Sequence, residues 1–225
     1  HHKTMGNPLF LRQLLASLTG QGYIYVDLGQ PRWTWDLNKI ADEEMSESVL
    51  ALLVKEMKRL PTDLQLGLKV ASCLGSCAQK NVLDILSKDV GMDLIDVLQQ
   101  VSEKGFMSIE DDGTMFSFAH DKIQQAAYEL MSQQEQRKNH MQFGMSIGSY
   151  TLDNCPDNNE LFFTAATQIN HGGLRAVSDP NQRTILAKLN LKAGKLSIVL
   201  SDYATALSLF EHGISYLGDD KWALE

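Results

Sequence analysis

The sequence predicts a mainly α-helical protein with two small β elements, ending in antiparallel helical hairpins. Three observations support this fold class. Apolar residues recur at helical spacing over most of the 225 residues. Two short alternating runs flank a turn signal near residue 112. Two long helical patterns follow each other near the C-terminal end. We divide the chain into regions 1–45, 46–132 and 133–225.

The first region, 1–45, combines one helix with a small β element. Residues 7–21 read as an amphipathic helix, with Asn7 as its N-cap and Pro8 in the first turn, where proline is tolerated. GYIYVD is typical of a strand, LGQPRW of a turn, and TWDLNKI leads away from it. We expect Trp33 and Trp35 to cover the first helix.

The second region, 46–132, begins with a helix that Ser46 or Ser48 can cap and that Pro61 ends. Three further helices are predicted, over TDLQLGLKVASCLG, NVLDILSKD and MDLIDVLQQVSEK. Alternating runs around Asp111-Asp112-Gly113 then indicate a β-hairpin. Three helices followed by a hairpin is the order of a winged-helix domain.

The third region, 133–225, is predicted to be entirely helical. Ser132 and Glu135 have the spacing of a capping box and start one helix. A loop over TLDNCPDNN and a helix over ELFFTAATQINHGG follow. The spacing of residues in the last helical pair resembles a tetratricopeptide-type repeat, at Gly194, Tyr203, Ala204, Ala206 and Phe210. Because a lone repeat is unstable, we expect more repeats to follow.

The charge of the chain argues against nucleic acid as a partner. Its net charge is −8 and its isoelectric point is about 5.2, whereas surfaces that bind nucleic acid are basic. From Gly91 to Gly113, where a winged helix would read DNA, six acids accompany one base. We expect this region to serve as a packing module.

Three cysteines, an odd and sparse set, favour a reducing compartment, and we expect a cytoplasmic protein. Cys73 and Cys77 would share one helix face, but a zinc site needs two more ligands than this stretch supplies. We expect no metal. The apolar runs are too short to span a bilayer, so no membrane contact is expected.

His120 and Asp121 stand where a predicted strand meets a predicted helix. Asp121 can cap that helix, and a neutral His120 can donate or accept a hydrogen bond, for example with a phosphate. A buried structural histidine is the alternative. Gly6-Asn7-Pro8 forms another helix start, where unpaired N–H groups favour an anion or a polar ring edge. The alternative is a plain N-cap.

Read in order, several fragments resemble the region after the nucleotide-binding core of AAA-like signalling ATPases of the STAND class, as found in multidomain sensor kinases. They are KTMGNPLFLRQLL, WTWDLNKI, LPTDLQLGLKVASCLG, FSFAHDKIQQAAYELM, RKNHMQFGMSIG and LAKLNLKAGK. The resemblance covers nearly the whole chain. It implies a helical lid, a winged helix and the start of helical repeats.

The resemblance also implies nucleotide contacts. Gly6-Asn7-Pro8 matches a lid motif whose proline packs near adenine. Ala119-His120-Asp121 matches a Met-His-Asp motif whose histidine reaches the β-phosphate of ADP, with alanine in place of methionine. ATP or ADP would be held mainly by an upstream core, which would be one partner of this segment. Asp121 would support the joint.

Two functions remain open at this point. The chain is either the regulatory segment of an ATP/ADP-dependent signalling ATPase or a nucleotide-independent helical scaffold for protein partners. No GxxxxGK[ST] motif and no local catalytic triad occur in the sequence, so we expect no catalysis by this chain itself. His140, His171 and His212 are interpreted as surface or packing residues.

Overall fold

The computed structural model describes residues 8–27, 29, 31–42, 49–110, 112–173, 177 and 179–217. A mainly helical chain with small β elements is confirmed, since these residues form eleven helices and five strands. The winged-helix and tetratricopeptide-type identities stay predictions. Within the described ranges, no helix has both the length and the apolar character that crossing a bilayer requires.

The first region contains a helix, a two-stranded antiparallel ribbon and a short second helix. Their bounds are α1 Pro8–Gly20, β1 Ile24–Asp27, β2 Arg32–Trp35 and α2 Leu37–Asp42. The expected N-caps Asn7, Ser46 and Ser48, as well as Gly6, lie outside the described residues.

The expectation that two tryptophans cover α1 is wrong. Trp33 and Trp35 are 60% and 57% exposed. Leu14 and Leu18 of α1 are buried instead against Leu52, which belongs to helix α3 (Val49–Met57). Helix α3 therefore covers α1, and the aromatic side chains of the ribbon stay in solvent.

The second region continues with helices and a three-stranded antiparallel sheet in the order β3-β5-β4. The elements are α4 Thr62–Leu74, β3 Cys77–Gln79, α5 Lys80–Val90, α6 Leu94–Glu103, β4 Met107–Ile109 and β5 Met115–Phe118. The hairpin prediction is confirmed by β4 and β5, whereas β3 was not predicted. Because α4 ends at Leu74, Cys73 and Cys77 do not share a helix face, and that expectation is wrong.

Local signals explain where α5 and α6 meet. Gly91 ends α5 with φ of 69°, in the left-handed region that glycine adopts without strain, and its N–H donates to the Ser87 carbonyl. Asp93 then starts α6, because its carboxylate accepts hydrogen bonds from the N–H groups of Ile95 and Asp96.

The third region is helical, and its first helix starts as predicted. Its helices are α8 Gln133–Asn154, α9 Asn159–Gly172, α10 Pro180–Val199 and α11 Tyr203–Leu217, and they follow α7 Asp121–Tyr128, the last helix of the second region. Ser132 and Glu135 form the predicted capping box. Helix α8 continues to Asn154, so the loop predicted from Thr151 is shorter. The backbone pattern persists to the Cys155 N–H, which donates to the Thr151 carbonyl, and Thr151 itself is buried.

The largest hydrophobic core crosses the predicted boundary between the second and third regions. Phe116 of the sheet and Ile123 of α7 belong to the same cluster as Phe143, Ile147 and Leu161 of α8 and α9. A smaller cluster joins α8 and α9 to α10 and α11. Helices α8 and α9 therefore pack on the sheet-containing region, and the predicted domain ranges stay predictions.

Candidate functional site

His120 lies at the joint between β5 and α7, as the sequence predicted. Its backbone is extended, with φ of −167°, and the residue is the N-cap of α7. The ring nitrogen Nδ1 accepts a hydrogen bond from the Lys122 N–H at 3.0 Å. Asp121 occupies the first helical position, so the expectation that Asp121 caps the helix is corrected: the imidazole does so.

This capping bond decides which nitrogen of the neutral His120 ring carries the proton. Since Nδ1 accepts, the proton of the neutral imidazole must reside on Nε2. The side chain is exposed rather than buried. The joint therefore offers one N–H donor to solvent, or to an acceptor such as a phosphate oxygen.

Backbone hydrogen bonds hold the joint against the rest of the region. The Ala119 N–H donates to the carbonyl of buried Phe106 at 3.1 Å, and the Phe118 N–H donates to Ser76 at 2.9 Å. His120 itself accepts from the Ile123 N–H at 2.9 Å. The imidazole is thus presented from a backbone anchored on both sides.

Helix α1 reaches the same part of the molecule through Arg12. A Cβ built on Gly105 would lie 3.1 Å from Arg12 Nη2. Gly105 precedes Phe106, whose carbonyl binds Ala119, so Arg12 contributes a cation near the chain that carries His120. Sequence reasoning did not identify Arg12. Pro8 begins α1 one turn earlier, whereas Gly6 and Asn7 lie outside the described residues.

A second polar cluster, centred on His140, is buried where α7, α8 and α9 meet. His140 Nε2 lies 2.9 Å from the Tyr128 hydroxyl, and Nδ1 lies 2.7 Å from Gln168 Oε1. Because the Gln168 amide NH₂ donates to the Cys73 carbonyl at 2.9 Å, its oxygen faces the histidine. Nδ1 therefore donates to Gln168, and Nε2 accepts from Tyr128.

Burial lowers the pKa of His140 by disfavouring the charged imidazolium, and the neighbouring His171 ring adds to this, while the bond to Gln168 opposes it. The His171 ring centroid is 5.0 Å away. The neutral form satisfies both ring nitrogens. The sequence interpretation of His140 as a packing residue agrees with this burial but missed the network.

Two glutamines complete the C-terminal end of α4. Gln124 of α7 donates to the Ser72 carbonyl at 3.3 Å, and Gln168 of α9 donates to the Cys73 carbonyl at 2.9 Å. The last carbonyls of a helix have no partners within it. Side chains from α7 and α9 supply these partners, which ties both helices to α4.

The described residues contain no group of three His, Cys, Asp or Glu side chains placed to hold a metal ion. Acidic side chains are exposed on α6 and at the hairpin, namely Asp93, Asp96, Glu103, Glu110 and Asp112. This surface would repel nucleic-acid phosphates.

Comparison with known proteins gives one similarity. No protein-family model matches the chain, and no solved structure matches it. The chain is 24% identical, over 241 aligned positions, to a hybrid signal transduction histidine kinase, kinase G of Dictyostelium discoideum. The alignment covers 85% of this chain but only 7% of that protein, so the chain spans a small part of its relative.

Proposed function

We propose that this chain is the regulatory segment of an ATP/ADP-dependent signalling ATPase. His120 would contact the nucleotide phosphates in the closed state. The observation that carries the proposal is the exposed Nε2–H donor of His120, which the capping bond to Lys122 orients at an anchored joint. A donor held this way needs little reorganisation when it binds an anion.

The order of elements supports the finer parts of the proposal. Residues 62–118 follow the sequence helix, strand, two helices, two strands, with one three-stranded antiparallel sheet. This is the arrangement expected of a winged helix. Helices α8 with α9, and α10 with α11, pack as consecutive pairs, as helical repeats do. Helix α1 and its ribbon would form the lid.

The similarity to a signal transduction histidine kinase supports a signalling role. It does not bear on nucleotide binding, which depends on the residues of the joint. There, His120 offers a hydrogen-bond donor that suits a phosphate oxygen, and Arg12 adds a positive charge beside Gly105.

The residues of this chain would act as a latch on a nucleotide held mainly by an upstream core. The bound ADP supplies the anionic oxygens. Nε2–H of His120 donates to one of them, and Pro8 with Gly6 and Asn7 would close over the base from the lid. Loss of the His120 contact would release the winged helix and the helical repeats. Such a switch is a two-state equilibrium that the ligand biases.

The test uses a protein in which this segment is joined to its nucleotide-binding core. The purified protein is denatured and the released nucleotide is identified, for the wild type and for His120→Ala. We expect ADP in the wild type and its loss in the variant. His120→Asn is the matched control, because asparagine also caps helices well, but its shorter side chain does not extend an N–H donor to the position of Nε2.

The outcomes separate contact from capping. Loss of ADP in both variants supports the latch, since the cap is retained in His120→Asn. Loss in His120→Ala alone assigns His120 to helix capping. Retention of ADP in both variants, or a folded wild type without nucleotide, contradicts the proposal and favours the alternative.

The alternative is a nucleotide-independent scaffold that binds protein partners through its helical repeats. One observation favours it: an open apolar groove between α10 and α11. A scaffold would capture its partner equally with ADP and with ATP, whereas the latch would make capture depend on the nucleotide. A pull-down in the two nucleotide states distinguishes them.

A further inference from the structure

A groove of about 610 Å³ runs between α10 and α11, at the end of the described fold. Its walls are mainly apolar and include Ala187 and Leu191 of α10 with Phe210, Ile214 and Leu217 of α11. The opposite sides of both helices are buried against α9 by residues such as Leu186, Leu209 and Tyr216. The groove therefore lies on the face of this helical pair that no described residue covers.

Phe210, Ile214 and Leu217, which form one wall of the groove, are the last three members of a continuous apolar stripe on α11. Its members are spaced four, three, four and three residues apart, at Tyr203, Leu207, Phe210, Ile214 and Leu217. Tyr203 and Leu207 are 68% and 60% exposed, which is unusual for large apolar side chains that share one face of a helix. The stripe has the spacing of a helix face that packs on another helix.

The other wall carries positive charge. Helix α10 contains four basic residues and no acidic residue, in a chain whose net charge is −8. Two of the four point elsewhere: Arg183 donates to the Val177 carbonyl, and Lys192 lies over the Phe162 ring. Lys188 lines the groove, and Lys195 lies two turns further along the same face. Both are exposed.

These lysines have no fixed partner in the described part of the chain. No ion pair or side-chain hydrogen bond joins Lys188 or Lys195 to another described residue. The single acid of α11, Glu211, follows Phe210 on the helix and lies beside the stripe. An occupant that carries acids over α10 would therefore complement this wall.

We propose that the groove between α10 and α11 binds an amphipathic helix of a partner protein, with an apolar stripe that packs on α11 and acidic side chains that face Lys188 and Lys195. This inference goes beyond the nucleotide role of His120 and does not depend on it. Apolar contact supplies most of the affinity, while the lysines set the orientation and reject basic helices.

The length of the stripe sets the length of the partner. From Tyr203 to Leu217 the stripe covers all fifteen residues of α11, whose ends are about 21 Å apart, or about four turns of helix. A partner helix of about 16 residues covers it. A second copy of this chain fits poorly, because in a symmetric pair the two copies bring equivalent lysine-bearing α10 faces to the contact and Glu211 alone supplies acid.

The test measures the fluorescence anisotropy of a labelled helical peptide of about 16 residues, titrated with the 225-residue chain at low ionic strength. The peptide carries leucines at the spacing of the stripe and glutamates on one flank. A matched peptide has lysines in place of the glutamates. We expect the acidic peptide to bind at least about tenfold more tightly than the basic one.

Variants of the chain locate the site. Lys188→Glu with Lys195→Glu should weaken the acidic peptide about tenfold and improve the basic peptide. Lys58→Glu with Lys104→Glu, also exposed, makes the same change in net charge elsewhere and should have little effect. Ile214→Ser, at a half-exposed position that tolerates a polar residue, should weaken both peptides.

Three results would overturn the proposal. Equal binding of the two peptides would remove the role of the lysines. An unchanged affinity in Ile214→Ser would place binding outside the groove. Sedimentation of the chain as a dimer that Ile214→Ser dissociates would show that a second copy, and not a partner helix, occupies this face.

Discussion

His140→Phe should destabilise the fold strongly, because it removes the centre of a buried polar network without removing its partners. Phenylalanine fills a similar volume, so little cavity is created. The change leaves buried Gln168 with an oxygen that had accepted from Nδ1 at 2.7 Å, and it frees the Tyr128 hydroxyl that had donated to Nε2. Tyr128 is only partly buried and can turn toward water, but Gln168 cannot.

The magnitude follows from these partners. A buried polar atom left without a hydrogen bond costs about 1–3 kcal/mol, and the lost bonds themselves contribute about 1 kcal/mol each. Gln168 also donates to the Cys73 carbonyl, so rotation of its side chain would leave that carbonyl without its hydrogen bond. Some of the cost is offset by the greater hydrophobicity of phenylalanine. We expect the free energy of unfolding to fall by about 2–3 kcal/mol.

Urea denaturation at pH 7.5, followed by circular dichroism, measures this change. His212→Phe is the matched control, because the His212 ring lies on the outer part of the fold and its Nδ1 bonds to the Ser208 carbonyl of its own helix, and it should shift the midpoint little. If His140→Phe were as mild as His212→Phe, the network would not contribute to stability, and the assignment of donors within it would be wrong.

Three further predictions concern helix α8, which carries His140. Burial lowers the pKa of His140, so as the pH falls the imidazole is protonated in the unfolded chain before it is protonated in the folded one. The free energy of unfolding should therefore decrease below about pH 6.5, by up to about 1.4 kcal/mol per pH unit. Urea denaturation of His140→Phe over the same pH range should lack this contribution. Gly144→Ala should lower the free energy of unfolding by about 1–3 kcal/mol, because the new Cβ would lie 2.7 Å from the Ile169 backbone nitrogen. Gly148→Ala is the control: its Cβ would have its nearest contact at 3.4 Å, so the change should be neutral or stabilising. Ser132→Ala should lower the urea midpoint by an amount equivalent to about 1 kcal/mol, since it removes the capping box of α8; an unchanged midpoint would show that this helix start needs no cap.

Most of the helices could be predicted from the sequence, because each has an apolar face that the core requires. Gly91 and Asp93 marked the change from α5 to α6 through backbone preferences that act locally. Strand β3 could not be predicted in this way. Its three residues are too few to show alternation, and they are extended because they pair with β5, which lies almost 40 residues later.

The candidate site was predicted in part. The position of His120 at a strand-to-helix joint is a local feature, so it was visible in the sequence, although the cap was assigned to Asp121. Arg12 and the His140 network were not visible, since their neighbours come from distant parts of the chain. The only signal for the network was a polar residue on an otherwise apolar helix face, at His140 and at Gln168, and such residues are also common without partners.

The glutamines that complete α4 have a consequence for synthesis. Gln124 follows Ser72 by 52 residues, and Gln168 follows Cys73 by 95 residues. At about 5–20 residues per second, a ribosome makes Gln168 about 5–20 seconds after Cys73. Throughout that interval the last turn of α4 has only water to satisfy the Cys73 carbonyl. The growing chain therefore finishes one of its central helices only after α9 has emerged and docked, which makes that docking a late and shared event in the folding of both regions.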